Sequence, residues 1–525
     1  MSTSWPMFIG SCKSRISALA RNCFLGRKHW KEKYAQQVAQ LRDKVSALEA
    51  ACQQAATTAE EYRKLWQGQL LRATVLEQQL FHSQRSVRLP EDPPVAGQHY
   101  GPRLMALSVN LARKVGLRKS VAAMNVIFKW LDVEQEIPTY QSVRGWMQRL
   151  GLNRLKQVRR HDDWIWIADH SSQLGKQKCL TVLGIRQSKL PPAGTALRLE
   201  DMTMLGVYPS DTCKREDVRQ VYKELAHRVG VPRAVITDGA VELRDPIKSL
   251  KTKGRTAISI RDLKHFLANR LEALLSKDEQ YRAFFQEMGQ TRSSMQQTEL
   301  SHLAPPVMRQ KSRFMNLEPV LQWASMALWQ LDQPQSLSRQ GTTADRVEAK
   351  LGWLRQYQDD VPRWMTLQAI MSTALTFINA QGLQHGTVHE LRRALKPLTT
   401  DQTRELVERI LKFVRLYERK LDVDERLPMC SEIIESSFAK FKALEQSHAR
   451  SGFTQLVLAF PCTLKATSAS EIVKAFAKTK VKDTHAWLKQ HLPITHDARR
   501  QAAYREYRRA APDAKKRATP LAAAI

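Results

Sequence analysis

The chain has 525 residues, too many for one hydrophobic core at roughly 100 to 200 residues per domain, so three or four structural units are expected. Hydrophobic residues make up 43% and charged residues 26% of it, and the lack of an apolar stretch of about 18 residues excludes a membrane-embedded protein. The 83 Lys and Arg residues outnumber the 51 Asp and Glu residues, and the resulting net charge of +32 attracts polyanions. Composition therefore favours a nucleic-acid partner over the alternatives of a ribosome-associated or a membrane-surface protein.

Residues 1–30 carry no assignable structural pattern. Basic residues, among them Lys13 and Arg21, interrupt any apolar core of a secretion signal, so we expect a cytoplasmic location. The seven cysteines are odd in number, widely scattered and without a CxxC pair, which is typical of a reducing compartment.

Residues 31–89 show a heptad pattern. Apolar or small residues recur at alternating steps of four and three between Val38 and Trp66, with charged and polar residues between them. The pattern predicts a coiled coil. Its middle is weak, because the Cys and Ala residues there bury little surface, so a helical hairpin folding back on its own chain is the alternative.

Residues 100–158 predict three short helices. The first helix is expected to start at Pro102, while Ser120 and Thr139 are expected to cap the second and the third. The third helix is expected to end before Gly151. This spacing suits a DNA-binding module of the helix-turn-helix type.

The third helix and its continuation carry polar side chains beside an apolar face. These are Arg144, Gln148, Arg149 and Arg154, and such groups could contact base edges or phosphates. A three-helix spacer with a solvated basic face is the alternative, since short helical triplets are common.

Residues 161–279 change to an α/β pattern. Three apolar, β-favouring runs are followed by a helix, and strand-like and helix-like segments then alternate, giving the order β-β-β-α-β-α-β-α. Three antiparallel strands followed by crossover units are typical of the mixed sheet of an RNase H-like fold.

The remaining sequence predicts a helical insertion, the last part of the α/β core and a basic tail. Residues 280–420 hold helical patterns almost throughout, so an all-helical insertion is expected to divide the α/β core. Residues 421–480 would supply the last part of that core, with a late helix. Residues 481–525 are expected to form a basic tail that either clings to phosphates or only promotes solubility. The predicted fold class is therefore multidomain α plus α/β.

Two aspartates follow apolar strands at positions where charge is costly to bury. Asp169 lies at or near the end of the run WIWIAD, and Asp238 follows the run AVIT and precedes a glycine. Open α/β sheets present their ligands at the carboxyl ends of strands, and in the proposed topology these two strands are neighbours. Either aspartate alone is more often a turn or helix cap, but the pair in this order indicates a site.

The chain resembles the DDE transposases of bacterial insertion sequences, which are related in fold to retroviral integrases. The resemblance covers residues 100–480. It is carried by four segments, which are IADHS at 167–171, VITDG at 235–239, RDLKHFLANRLE at 261–272 and SEIIESSFAKFK at 431–442. It implies a metal-dependent enzyme that cleaves double-stranded DNA at the element ends and joins those ends to target DNA.

The resemblance also implies the site residues. Asp169, Asp238 and Glu435 would be catalytic and would hold two Mg²⁺ or Mn²⁺ ions. Glu432 lies one turn before Glu435 and is the nearer alternative for the third ligand, with Glu425 a more distant one.

Four further residues follow from the same segments. Asp262 and His265 would support the active site, with a helix-capping aspartate and a packed histidine as the alternative. Lys440 and Lys442, which follow Glu435 on the late helix, would contact DNA.

The partners follow from the reaction. Joining two ends implies a synaptic dimer or a higher homo-oligomer, in the bacterial cytoplasm or nucleoid. The sequence contains no GxxxxGK[ST] motif, so no nucleotide cofactor is expected. The alternative is a catalytically inactive or domesticated DNA-binding protein derived from such an element, and a nuclease without joining activity is a further alternative.

Overall fold

The computed structural model describes residues 28–82, 91–172, 177–252, 254–307, 317–333, 343–445, 453–492, 494 and 496–510. The chain divides into two compact units, which are Met1–Leu89 with Leu131–Val133, and Pro90–Trp130 with Glu134–Ile525. Within these described ranges, no helix combines the length and the apolar character needed to cross a membrane.

The first unit is dominated by one long helix. Helix α1 (Lys28–His82) is uninterrupted over its 55 residues. Apolar residues of its predicted seam are exposed, for example Leu48 and Trp66 at 64% and 63%. Pairing of this helix with a second copy stays a prediction.

The second unit begins with three helices. They are α2 (Pro102–Val115), α3 (Leu117–Trp130) and α4 (Tyr140–Lys156). Thr139 caps α4 as predicted, since its side chain accepts a hydrogen bond from the Ser142 amide at 3.2 Å. The predicted cap at Ser120 is wrong: this buried residue lies inside α3, and its hydroxyl donates to the Leu117 carbonyl. Helix α4 also continues past Gly151.

Gly151 is a packing glycine in α4, not a helix terminator. A Cβ atom at this position would lie 1.9 Å from the carbonyl oxygen of Leu458. The missing side chain therefore lets α4 lie directly against the 3₁₀ turn Gln455–Ala459.

The core of this unit is a five-stranded mixed sheet. Its strands are β1 (Trp164–Ser172), β2 (Lys178–Arg186), β3 (Thr203–Ser210), β4 (Ala234–Thr237) and β7 (Ile258–Arg261). The spatial order is β3-β2-β1-β4-β7, with β1–β3 antiparallel and β4 and β7 parallel to β1. The predicted mixed sheet is confirmed, and the order is typical of an RNase H-like core. Strands β5 (Lys251–Thr252) and β6 (Arg255–Thr256) form a separate hairpin.

Helices cover both faces of the sheet. One face packs on α5 (Arg215–Val229) and the short α6 (Val241–Arg244), through residues such as Trp166 and Tyr222. The opposite face carries Ile165 and Ile167 of β1 and belongs to the larger hydrophobic core. That core also includes residues of α7 (Leu263–Leu275) and of α14 (Glu432–Glu445).

Among the described residues between α7 and α14 there are six α-helices. They are α8 (Glu279–Met295), α9 (Glu318–Leu331), α10 (Ala344–Leu351), α11 (Asp360–Gln381), α12 (Thr387–Leu395) and α13 (Arg404–Glu418). Aromatic rings of Tyr281, Phe284, Tyr357 and Trp364 contact one another within this block. Among the described residues from 280 to 420, the β pairing is limited to one isolated bridge, from Leu383 to Leu427.

The chain ends in short helices packed near the three-helix module. They are α15 (Pro461–Leu464), α16 (Ala469–Lys478), α17 (Val481–His491) and α18 (His496–Ala510). Helix α17 buries Thr484 and Leu488 and packs against α4 and β3. Residues 481–491 are thus part of the folded unit, and the predicted tail begins after them.

Candidate active site

Asp169 and Asp238 lie side by side at one edge of the sheet. In the parallel pairing of β1 with β4, Ile167 is opposite Ile236, and the two aspartates come two residues further along each chain. Adjacent strands lie roughly 4.8 Å apart, so the register brings the two carboxylate-bearing residues together.

Both aspartates belong to the same face of the sheet. Alternate residues of a strand share a face, and Ile165 and Ile167 of β1 contribute to the larger core. Ala234 and Ile236 of β4 contribute to that core as well. Asp169 is therefore directed towards the side on which α14 packs against β1. Asp238 comes two residues after Ile236, so the same alternation directs it to that side.

Glu435 and Glu432 both bind one lysine of α7. The Lys264 ammonium lies 3.2 Å from Oε2 of Glu435 and 3.0 Å from Oε1 of Glu432. The second oxygen of Glu432 accepts a hydrogen bond from Asn379 in α11 at 2.7 Å. The charge of Glu435, in contrast, acts on Asp169. The two glutamates thus share Lys264 but differ in their other neighbours, and the choice of Glu435 over Glu432 as the third ligand stays a prediction.

Asp262 ties α7 to the start of α14. Its side chain caps α7 by accepting a hydrogen bond from the His265 amide at 2.7 Å. Its other oxygen accepts from the amide and the hydroxyl of Ser431, the residue just before α14. Asp262 is fully buried, and its pKa is lowered because these hydrogen bonds and His265 outweigh burial. Asp262 therefore positions the helix that carries Glu435.

His265 lies among carboxylates. Its Nδ1 atom is 3.3 Å from Oδ1 of Asp262, and Glu435 and Asp238 also act on it. Burial opposes protonation, but these negative charges hold the pKa of His265 above its usual value. A protonated imidazole at this place would attract an anionic group.

Asp169 has the most perturbed carboxyl group of the site. Burial raises its pKa to about 7, and the neighbouring carboxylates of Asp238 and Glu435 act in the same direction. The amide of His170 and the charge of His265 oppose this increase. The arrangement favours either a proton or another cation next to Asp169.

Stability should depend on pH through Asp169 when divalent ions are removed. The pKa of the carboxyl is about 7 in the folded protein against an ordinary value of 3.8, so between these values the folded state holds a proton that the unfolded chain has lost. The free energy of unfolding should fall as pH rises across this window, by at most about 4 kcal/mol. Urea denaturation of the wild type and of Asp169→Asn in EDTA measures it, and the variant should show a smaller decrease.

The matched control is Asp162→Asn, which removes an exposed carboxylate just before the same strand. It should follow the wild type. Added Mg²⁺ should restore stability above pH 7 in the wild type but not in Asp169→Asn. If the free energy of unfolding changed equally with pH in the wild type and in Asp169→Asn, the pH dependence could not be assigned to Asp169.

The donor chemistry of these residues fits a hard divalent cation. Asp169, Asp238 and Glu435 supply carboxylate oxygens, and burial, with a smaller contribution from the neighbouring carboxylates, raises the pKa of Asp169. Across the described residues, however, no group of three or more His, Cys, Asp or Glu side chains is drawn together closely enough to hold a metal ion. The bond of Glu435 to Lys264 is one contact that would have to change for the three to converge.

Three residues predicted to contact DNA have structural roles instead. Gln148 donates to the Gln455 carbonyl at 3.0 Å, and Arg149 donates to the carbonyls of Thr479 and Phe476. Arg154 forms a bidentate pair with Glu471 at 2.8 and 2.9 Å. In this structure the donors of these three residues bind the C-terminal segments against which α4 is buried, and their contact with DNA stays a prediction.

The other residues predicted to contact DNA differ in their exposure and in their hydrogen bonding. Arg144 is half-buried, and its Nε atom has no hydrogen-bond partner. Lys442 is exposed and lies seven residues, or two helical turns, after Glu435, so both are on nearly the same face of α14. Lys440 is half-buried near α2. Their contacts with DNA stay predictions.

Lys264 and Ser431 were not predicted from the sequence. Lys264 lies between Asp262 and His265, and Ser431 immediately precedes α14, so both are inside the segments that carry the resemblance. A lysine two residues after a capping aspartate was the available signal. Its two partners, 168 and 171 residues away, were not accessible to local patterns.

Comparisons with known proteins add little. No protein-family model matches this chain, and no curated protein matches it. Among solved structures it is similar to the Drosophila P element transposase strand transfer complex, at 9% sequence identity and a TM-score of 0.35, over 77% of this chain and 98% of that one. A similarity of this size does not carry a functional assignment.

Proposed function

We propose that this protein is a DDE transposase, which cleaves DNA strands at element ends and joins them to target DNA with the help of divalent metal ions. The observation that carries the proposal is the register of β1 and β4, in which Asp169 and Asp238 each come two residues after the paired residues Ile167 and Ile236. A metal ion that drew Glu435 of α14 to these two aspartates would complete the three-carboxylate arrangement that suits phosphoryl chemistry.

The roles of the residues follow from their positions. Asp169, Asp238 and Glu435 would hold Mg²⁺ or Mn²⁺, which when bound activates the attacking oxygen and stabilises the leaving oxygen. His265 would attract the negatively charged phosphodiester, because its pKa is held above the usual value. Asp262 keeps α7 and α14 in register so that Glu435 stays near the aspartates.

The charge of the chain supports DNA as the substrate. The net charge of +32 favours binding to a polyanion at any sequence. The exposed Lys442, on the face of α14 that carries Glu435, would contact a phosphate beside the site.

The test is cleavage and joining of labelled duplex DNA by the full-length protein with Mg²⁺ or Mn²⁺. Because the element ends are unknown, DNA flanking the gene supplies the candidate ends, with a scrambled duplex as control. We expect metal-dependent nicking and strand joining by the wild type and neither reaction by Asp169→Asn at equal DNA binding. Cleavage that persists in Asp169→Asn would refute the proposal.

A DNA-binding protein without this chemistry is the second candidate. It is favoured by the bond from Lys264 to Glu435 and by the lack of a ready-made metal group among the described residues. Three results for the wild type would support this second function. It would bind DNA, its stability would change with the ionisation of Asp169, and it would not cleave DNA with either metal.

A further inference from the structure

Lys264 is anchored between α7 and the start of α14. It is the second residue of α7, and the two residues before it bond to the segment that precedes α14. The Leu263 amide donates to the Met429 carbonyl at 3.0 Å, and Asp262 accepts from the amide and the hydroxyl of Ser431. These bonds fix the backbone that carries Lys264 against the first turn of α14. The lysine therefore approaches the two glutamates of that turn from a defined position.

The two glutamates differ in how firmly they are held. The Lys264 ammonium lies 3.0 Å from Oε1 of Glu432 and 3.2 Å from Oε2 of Glu435. The second oxygen of Glu432 is bonded as well, by the Asn379 side-chain amide at 2.7 Å. Among the described residues, none donates to the second oxygen of Glu435. Glu432 is thus fixed at both oxygens, whereas Glu435 is held by the lysine alone.

The Lys264 ammonium needs an anionic partner. Its side chain is only 20% exposed, and a charge with so little contact with water is costly without a counter-charge. If Glu435 moves towards the aspartates, Glu432 still neutralises the lysine, because Asn379 keeps Glu432 in place. If Glu432 were neutral, the same movement would leave the ammonium without either of its carboxylate partners. Two glutamates around one lysine therefore allow one of them to be released.

We propose that Lys264 is a positioning residue, which holds Glu435 in the metal-free protein and stays with Glu432 when Glu435 binds a divalent ion. The lysine then competes with the metal ion for Glu435. This competition accounts for the absence of a ready-made metal group among the described residues, although their carboxylates suit such an ion. The inference rests on the proposed function, since it takes Glu435 as a metal ligand, but it does not require cleavage.

The experiment measures Mn²⁺ binding by the full-length protein without DNA, from the paramagnetic resonance signal of free Mn²⁺ at fixed pH and ionic strength. The site that is scored is the one lost in Asp169→Asn. We expect Lys264→Gln to bind Mn²⁺ about fivefold more tightly, because no ammonium has to be displaced, and Glu432→Gln to bind it about fivefold more weakly. The double variant should match Lys264→Gln, because Glu432 acts only through the lysine.

The double variant separates this inference from a simple effect of charge. If Glu432→Gln weakened binding equally in the wild type and in Lys264→Gln, Glu432 would act on the metal ion directly or through its charge alone, and the inference would be wrong. Lys264→Arg keeps the positive charge and should bind Mn²⁺ as the wild type does. Circular dichroism establishes that each variant is folded before its binding is compared.

The control is Lys277→Gln, which removes the same charge from an exposed lysine just after α7. An equal gain in Mn²⁺ affinity in this variant would also overturn the inference. If no Mn²⁺ site depends on Asp169, the metal site of the proposed function fails together with this inference. Additive effects of the two substitutions on an intact site would overturn this inference alone.

Discussion

Glu435→Gln should lower the rate of metal-dependent DNA cleavage by about a thousandfold, because a metal ligand contributes several kcal/mol and each 1.4 kcal/mol corresponds to about tenfold. Glu435 acts electrostatically on both Asp169 and His265, which places it in the proposed site. The substitution removes the charge but keeps the size of the side chain. Single-turnover cleavage at saturating DNA is the measurement, with binding checked separately.

Glu432→Gln is the matched control, since this residue is on the same helix and binds the same Lys264. Its other oxygen is held by Asn379 of the helical block, away from the aspartates. We expect it to retain cleavage within about tenfold of the wild type, as suits a partner that supports Lys264 without ligating metal. If the two variants exchange these phenotypes, the third ligand is Glu432.

Glu425→Gln should destabilise the fold by about 3 to 5 kcal/mol, the usual effect of removing one partner of a buried ion pair. Arg233 donates its Nε and Nη2 atoms to the two carboxylate oxygens of Glu425 at 2.6 and 2.5 Å. Both side chains are almost inaccessible, at 5% and 3% exposure. The variant leaves the buried Arg233 charge with the exposed Asp422 as its remaining carboxylate partner, and urea denaturation measures the difference in the free energy of unfolding.

Asp422→Asn removes the charge of the exposed carboxylate that also contacts the Arg233 guanidinium. Asp422 lies 3.1 Å from Nη2 of Arg233, but it is 74% exposed. A loss of at most about 1 kcal/mol is expected for such a contact. Equal destabilisation by both variants would show that burial is not what makes the Glu425 pair strong.

The Arg233 pair also explains how the chain returns to the sheet after the helical block. Arg233 immediately precedes β4, and Glu425 comes shortly before α14. Close by, the Leu263 amide donates to the Met429 carbonyl at 3.0 Å, and Asp262 binds Ser431. These contacts join segments about 170 to 190 residues apart and fix the start of α14 against β4 and α7. Glu425, considered as a third ligand, is thus a structural residue.

Local patterns predicted the strands that carry the two aspartates. The apolar runs before Asp169 and Asp238 correspond to β1 and β4, and the last helix of the predicted order corresponds to α7. Buried strands and amphipathic helices have periodicities that a short window of sequence contains. The same window shows that a carboxylate lies near a strand end, but it contains no information on the distance between that carboxylate and one on a different strand.

The third helix of the N-terminal module shows where local patterns fail. Its polar residues Gln148, Arg149 and Arg154 have the composition of a DNA-contacting face, yet their acceptors lie more than 300 residues later in the chain. Polar side chains in an amphipathic helix have the same spacing whether they meet DNA or buried carbonyls. Only the packing of α15, α16 and the turn before them distinguishes the two.

The sequence by itself determined the positive charge of the chain, the order of strands and helices, and the placement of Asp169 and Asp238 at the ends of buried strands, because all of these depend on composition and on neighbours in the chain. The tertiary structure decided which basic side chains are occupied by protein carbonyls, that Lys264 binds both glutamates of α14, and that Asp262 joins α7 to Ser431. These features depend on contacts between elements far apart in sequence, where burial and partner distance set the energy of each charge.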